Sequence, residues 1–87
     1  MVKKEKRPFA VLLGKLLRRR RLEMGLTQAE MAWITKMSEE GYGMIERGER
    51  IPNTLTLSRI HNNTEISIDQ IFKEIDRIEK ENTPEEE

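Results

Sequence analysis

The side chains able to do chemistry in this chain are its charges, and they suit binding better than catalysis. His61 is the only histidine, and there is no cysteine. A lone His without a thiolate or a second imidazole makes neither a zinc site nor a triad. A place at the surface or at a helix end suits it better. Ser, Asp and Glu are scattered without a nucleophile–base pair. Gly41-Tyr42-Gly43 is no phosphate loop, because no strand precedes it and no GK[ST] follows. The reading is therefore no enzyme, no metal and no cofactor. What remains is charge in blocks. Through Arg21, nine Lys and Arg stand against one acid, Glu5, a balance of +8; from Leu22 onward seven stand against fifteen, a balance of −8. Such a chain can turn a basic face to an anion. It can equally be a solvated surface with a basic tail, and charge alone does not separate the two.

Charges act only where elements hold them. Eighty-seven residues predict one domain. Aromatics are few (Phe9, Trp33, Tyr42, Phe72), and alternating β-branched runs are absent, so the expected fold class is all-α. The longest apolar run, Phe9 to Leu13, is too short to span a membrane. No apolar segment of a secretory signal precedes Pro8. With no disulfide possible, a cytoplasmic protein is expected. The expected division is a basic flexible arm over 1–8, a helical domain over 9–72, an extension of the last helix over 73–81, and an acidic disordered tail over 82–87.

Pro8 suits the start of a helix over 9–24, with Leu12, Leu13, Leu16, Leu17 and Met24 toward one side. Gly25 suits its left-handed end. The four arginines Arg18 to Arg21 cannot all face one way, so one or two must turn inward or sideways. Thr27-Gln28-Ala29-Glu30 is a capping box, with Leu26 and Met31 as its staple. A short helix over 28–34, a turn at Thr35-Lys36-Met37, and a second helix over 39–47 follow. Ser38 caps that helix, and Met37 with Tyr42 staples it. This pair reads as a helix-turn-helix, whose second helix is the one offered to a major groove. Glu39 and Glu40 open that helix, where carboxylates stabilise the macrodipole by about 0.3–1 kcal/mol each. Gly41 and Gly43 weaken it or allow something to approach its backbone. Asn53 caps a helix over 54–62, with Leu57 and Ile60 inward. Ser67-Ile68-Asp69-Gln70 is a further box, stapled by Ile66 and Ile71. It opens a last helix reaching about residue 81. There the spacing of Ile71, Ile75 and Ile78 resembles a coiled-coil seam, which predicts dimerisation.

Arg21-Leu22-Glu23-Met24-Gly25-Leu26-Thr27-Gln28-Ala29-Glu30-Met31-Ala32 resembles the start of a Cro/C1-type (XRE, lambda-repressor-like) helix-turn-helix domain. Ile45-Glu46-Arg47-Gly48, then Arg50 and Pro52, and the later Ile66-Ser67-Ile68-Asp69-Gln70-Ile71-Phe72, are similar to its remaining motifs. The resemblance covers residues 13–72. It implies a compact five-helix domain that binds double-stranded operator DNA, usually as a homodimer. Residue by residue, it makes Gln28 a phosphate anchor and puts Arg47 and Arg50 near the DNA backbone, with Lys36 adding phosphate affinity. It makes Arg21 and Glu46 a structural ion pair. The base-reading positions become Ser38, Glu39, Glu40, Gly43 and Met44. Here the chain departs from the family, which favours Gln, Arg, Ser, Thr or Asn. A glutamate accepts only from cytosine N4–H₂ or adenine N6–H₂. The family often has Gly near Lys36, so the turn is expected to differ slightly in geometry.

Two functions follow. One is a small repressor-type transcriptional regulator of prokaryotic or phage kind. The other is a protein-interaction module on the same fold, an antirepressor, antitoxin or adaptor with a protein partner, favoured by Glu39-Glu40. Neither involves a membrane.

Overall fold

Helix ends lie where the sequence supplies groups to satisfy them. The computed structural model describes residues 8–82. Most of the expected arm and tail, residues 1–7 and 83–87, lies outside the described residues. Pro8 begins α1 (Pro8–Glu23), where its missing N–H costs little, and Gly25 with φ +73° ends it. The capping box of α2 (Gln28–Thr35) is complete. The Thr27 hydroxyl accepts from Glu30 N–H at 3.0 Å, and the Glu30 carboxylate accepts from Thr27 N–H at 2.8 Å. In α3 (Glu39–Glu46) the Ser38 hydroxyl accepts from Gly41 N–H at 2.9 Å. In α4 (Thr54–Asn63) Asn53 Oδ1 accepts from Thr56 N–H at 2.8 Å. In α5 (Ile68–Asn82) Ser67 accepts from Gln70 N–H at 3.1 Å. His61 Nδ1 accepts from Ile68 N–H at 3.1 Å, so the lone histidine serves a helix start. These five helices, with no strand, make up the secondary structure of the described residues.

One core joins them. Leu13, Leu16 and Leu17 of α1 meet Met31, Tyr42, Ile45, Ile60, Ile66, Ile71 and Ile75. Met24, expected on the inner side, is exposed because α1 has already ended. Ile71 and Ile75 are 0% and 2% exposed within this core, which corrects their reading as a dimer seam. The same 4-then-3 spacing fits a helix lying on the α1 leucines, and there it is already filled. Ile78 is half-buried, and Phe72 stays 39% exposed, tilted against Phe9 at 6.2 Å between ring centroids.

The arginine run divides as expected. Arg18 faces solvent. Arg19 and Arg20 reach Glu74 of α5 at 2.7 and 3.5 Å, and Arg21 turns inward. Lys36 adopts φ 61°, ψ 41°. The turn therefore keeps a left-handed geometry, and lysine carries a strain of about 1–2 kcal/mol. The helix α1 crosses α3 at Gly14. A Cβ there would lie 2.4 Å from Ile45 O and 2.5 Å from Glu46 O. Sequence reasoning did not single out this glycine.

Candidate nucleic-acid interface

The site is built on a buried carboxylate. Glu46, the last residue of α3, receives Arg21 Nε at 2.6 Å and Nη2 at 3.1 Å. The two side chains are 8% and 2% exposed. Arg21 also donates to Leu26 O at 2.8 Å, which ties the loop after α1 to the pair. Gln28, at the start of α2, donates Nε2 to Glu46 Oε1 at 2.9 Å. One carboxylate thus holds α1, α2 and α3 together and fixes the Gln28 amide. Burial alone would push the Glu46 carboxyl up. Hydrogen bonds from Arg21 and Gln28, the Tyr42 hydroxyl and the Arg21 charge outweigh it and hold the group below the usual carboxylate range. Tyr42 is wholly buried, with no partner for its hydroxyl in hydrogen-bond geometry. Burial, then the charge of Glu46, raises its ionisation far above the usual phenol range.

Over this anchor Gly43 of α3 acts as a seat. A Cβ on Gly43 would lie 3.1 Å from Arg47 Nη1 and 3.6 Å from Gln28 Oε1. One on Gly41 would lie 3.0 Å from Ser38 Oγ and 3.5 Å from Met37 Cε, with Arg50 Nη1 beyond them at 3.6 Å. At Gly43 the close approach is therefore used by the chain's own Arg47 tip. Arg47 lies beside Gly43 because no Cβ displaces its tip, with Gln28 Oε1 at ordinary contact distance; Arg50 lies near Gly41, which faces roughly 200° around α3 from Gly43. Lys36 is not brought to this cluster. It lines a shallow hollow with Trp33, Ile34, Met37 and Asn63.

The base-reading candidates divide. Ser38, Glu39 and Glu40 are exposed, Met44 is half-buried, and Gly43 is buried. The Ser38 hydroxyl is engaged as the cap. One residue that the sequence did not flag joins the site: Glu49 grips Arg47 through Nε at 3.1 Å and Nη2 at 3.2 Å. That two-pronged contact occupies the guanidinium edge that a phosphate would use. Among the described residues no group of His, Asp and Glu could hold a metal, and no helix is long and apolar enough to cross a membrane.

Comparison with known proteins agrees with this fold. Among solved structures, the clp gene regulator ClgR from Corynebacterium glutamicum superposes with TM-score 0.72 at 23% identity, covering 84% of this chain and 94% of that one. A mutant of the restriction-modification controller protein C.Esp1396I gives TM-score 0.69 at 22% identity, covering 83% and 96%. No curated protein matches the sequence significantly. A family model described as helix-turn-helix matches residues 17–71, from the core leucines of α1 to the first turn of α5. By that match, and by the motifs it spans, the chain belongs to the Cro/C1-type (XRE) helix-turn-helix family.

Proposed function

We propose that the chain is a sequence-specific transcriptional regulator of the cytoplasm that binds double-stranded DNA as a homodimer, with α3 in the major groove. The observation that carries this reading is Arg47 seated at Gly43 beside Gln28, which Glu46 fixes at the start of α2. An amide and a guanidinium held together beside α3, with Arg50 on the loop after it, suit a phosphate backbone. Phosphate contacts place the helix, and Glu39, Glu40 and Met44 then meet the bases. Glutamate accepts from cytosine N4–H₂, and Met44 offers apolar contact to a thymine methyl. Two copies pair through the outer edge of α5, where Phe72 and Ile78 remain, and read half-sites about 34 Å apart. The similar structures are, by their descriptions, a gene regulator and a controller protein, which supports the reading.

Selection from a random duplex pool at two salt concentrations tests it. The expected result is a half-palindromic site enriched in cytosine under α3 and a steep loss of affinity with salt. Arg47→Ala or Arg50→Ala lowers the salt slope by about one each. Changing Glu39 and Glu40 to Gln abolishes the cytosine preference. No enrichment, with no gain on changing both glutamates to Gln, would sink the proposal.

Glu49 gives a separate prediction. It competes with phosphate for Arg47, so Glu49→Gln tightens DNA binding about two- to fivefold, the range set by an exposed ion pair. Titration at low salt measures this, and unchanged affinity would show that the pair is no competitor. A second reading rests on the acidic start of α3. In it the fold serves as a protein-interaction module, and the same selection then shows no salt-sensitive DNA binding.

A further inference from the structure

Trp33 is the only tryptophan in the chain, and it is 82% exposed in the middle of α2. An indole in water forgoes the largest apolar burial any side chain offers. Its surroundings are shaped. One hollow beside it is lined by Leu26, Ala29, Glu30 and Ile34. A second, towards the end of α2, is lined by Ala32, Ile34, Lys36, Met37 and Asn63. This surface is not the proposed DNA face. Gln28 and Trp33 lie roughly 140° apart around α2, and Gln28 reaches inward to Glu46 of α3.

We propose that this face pairs with the same face of a second copy, the two α2 helices running antiparallel about a twofold axis at Trp33. The charges carry the choice of occupant. Glu30 stands three residues before Trp33 and Lys36 three residues after it, each beside a different hollow. A twofold axis through Trp33 sets every residue before it opposite the one equally far after it in the partner. Glu30 then meets the partner's Lys36, and Lys36 meets the partner's Glu30. Among the described residues neither makes an ion pair within its own chain. The Glu30 cap uses one carboxylate oxygen and leaves the other available. The shape serves the same pairing: an exposed indole borders two hollows, one with Glu30 and one with Lys36, and Ala29 is small enough for close approach. Pairing leaves the Gln28–Glu46 side open, so chains on neighbouring DNA sites can be joined. The proposal stands independently of DNA binding.

The sole tryptophan makes the test direct. Trp33 emission and its quenching by acrylamide are followed from micromolar to millimolar full-length chain, beside sedimentation equilibrium on the same samples. The expected result is a blue shift and reduced quenching that track the rise in mass beyond the α5 dimer. Lys36→Glu sets acid against acid and weakens association by at least about tenfold. Glu30→Lys does the same with the signs reversed. Mixing the two variants restores pairing, because each supplies the charge that the other lacks. Because Glu30 also caps α2, circular dichroism checks that its variant is folded, and Lys36→Glu alone gives the same readout without touching the cap. The α5 edge accounts for a dimer on its own, so a rise in mass beyond a dimer with unchanged Trp33 emission would overturn the proposal. So would a monomer at every concentration, or no recovery on mixing folded variants.

Discussion

Replacing Glu46 by Ala is expected to cost about 3–5 kcal/mol of folding stability, because it leaves the Arg21 guanidinium buried without its counter-charge. Domains of this kind have about 5–15 kcal/mol in total, so the variant is near the point of unfolding. The cost comes from stranding a charge, and the pair itself is not a large net gain. The two can be separated. Arg21→Met combined with Glu46→Leu removes both charges and leaves apolar volume behind. It is expected to be more stable than either single variant, as read from urea midpoints by circular dichroism. A double variant as unstable as the worse single one would show that lost packing, not a stranded charge, sets the cost. Acid gives a second readout. Glu46 is held below its ordinary range in the folded chain, so the unfolded chain binds the proton more readily. The stabilisation is complete above the ordinary carboxylate range and is lost as pH falls through the lower folded value. Glu46→Gln, which has no carboxylate to protonate, flattens that acid limb.

The same carboxylate links stability to the proposed DNA grip, since Gln28 is fixed by Glu46 Oε1. Substitution there is therefore expected to loosen the anchor even in chains that stay folded. This makes Arg21, Glu46 and Gln28 a single unit, and double variants among them will not be additive.

Much of the scaffold was legible because it is written locally. Thr27 with Glu30, Ser38, Asn53 and Ser67 each satisfy backbone groups within three residues, so sequence spacing alone shows the bond. The Arg21–Glu46 pair was legible only through the family resemblance, because 25 residues separate the partners. Ile71 and Ile75 of α5 were misread as a dimer seam for a physical reason. A stripe that packs on a neighbouring helix and a stripe that packs on a second chain have one and the same spacing. The Arg47–Glu49 contact was missed because residues two apart do not face each other on a helix. They meet here only because Arg47 is the C-cap and the chain turns at Gly48, φ +78°. The seat at Gly43 was half legible. Two glycines in an eight-residue helix signal an approach, but not which side chains make it.

Gly14 is the clearest case of a residue whose role exists only in three dimensions, and it yields a prediction of sign. In an exposed helix interior, Gly→Ala stabilises by about 0.8–1.0 kcal/mol. Gly14 lies within the sixteen residues of α1, so sequence alone predicts a gain. The structure predicts a loss. The new methyl would meet Ile45 O, Glu46 O and Glu46 C at 2.4, 2.5 and 2.8 Å. All three are backbone atoms of α3, which cannot swing aside as a side chain can. Relief requires α1 and α3 to separate, against the packing of Leu13, Leu17 and Ile45. Overpacking of this kind costs about 1–3 kcal/mol and occasionally more, enough to outweigh the helix gain. It also shifts Glu46 relative to Arg21. Gly43→Ala is the matched control, since its methyl meets only the tips of Arg47 and Gln28, at 3.1 and 3.6 Å. It is expected to hold or raise stability by up to about 1 kcal/mol while displacing the two groups proposed to grip phosphate. Thermal and urea unfolding of the two variants should therefore move in opposite directions. A gain in stability for Gly14→Ala would mean that α1 does not press on α3 at this crossing, and with it the platform that carries Gln28 and Arg47 would lose its physical basis.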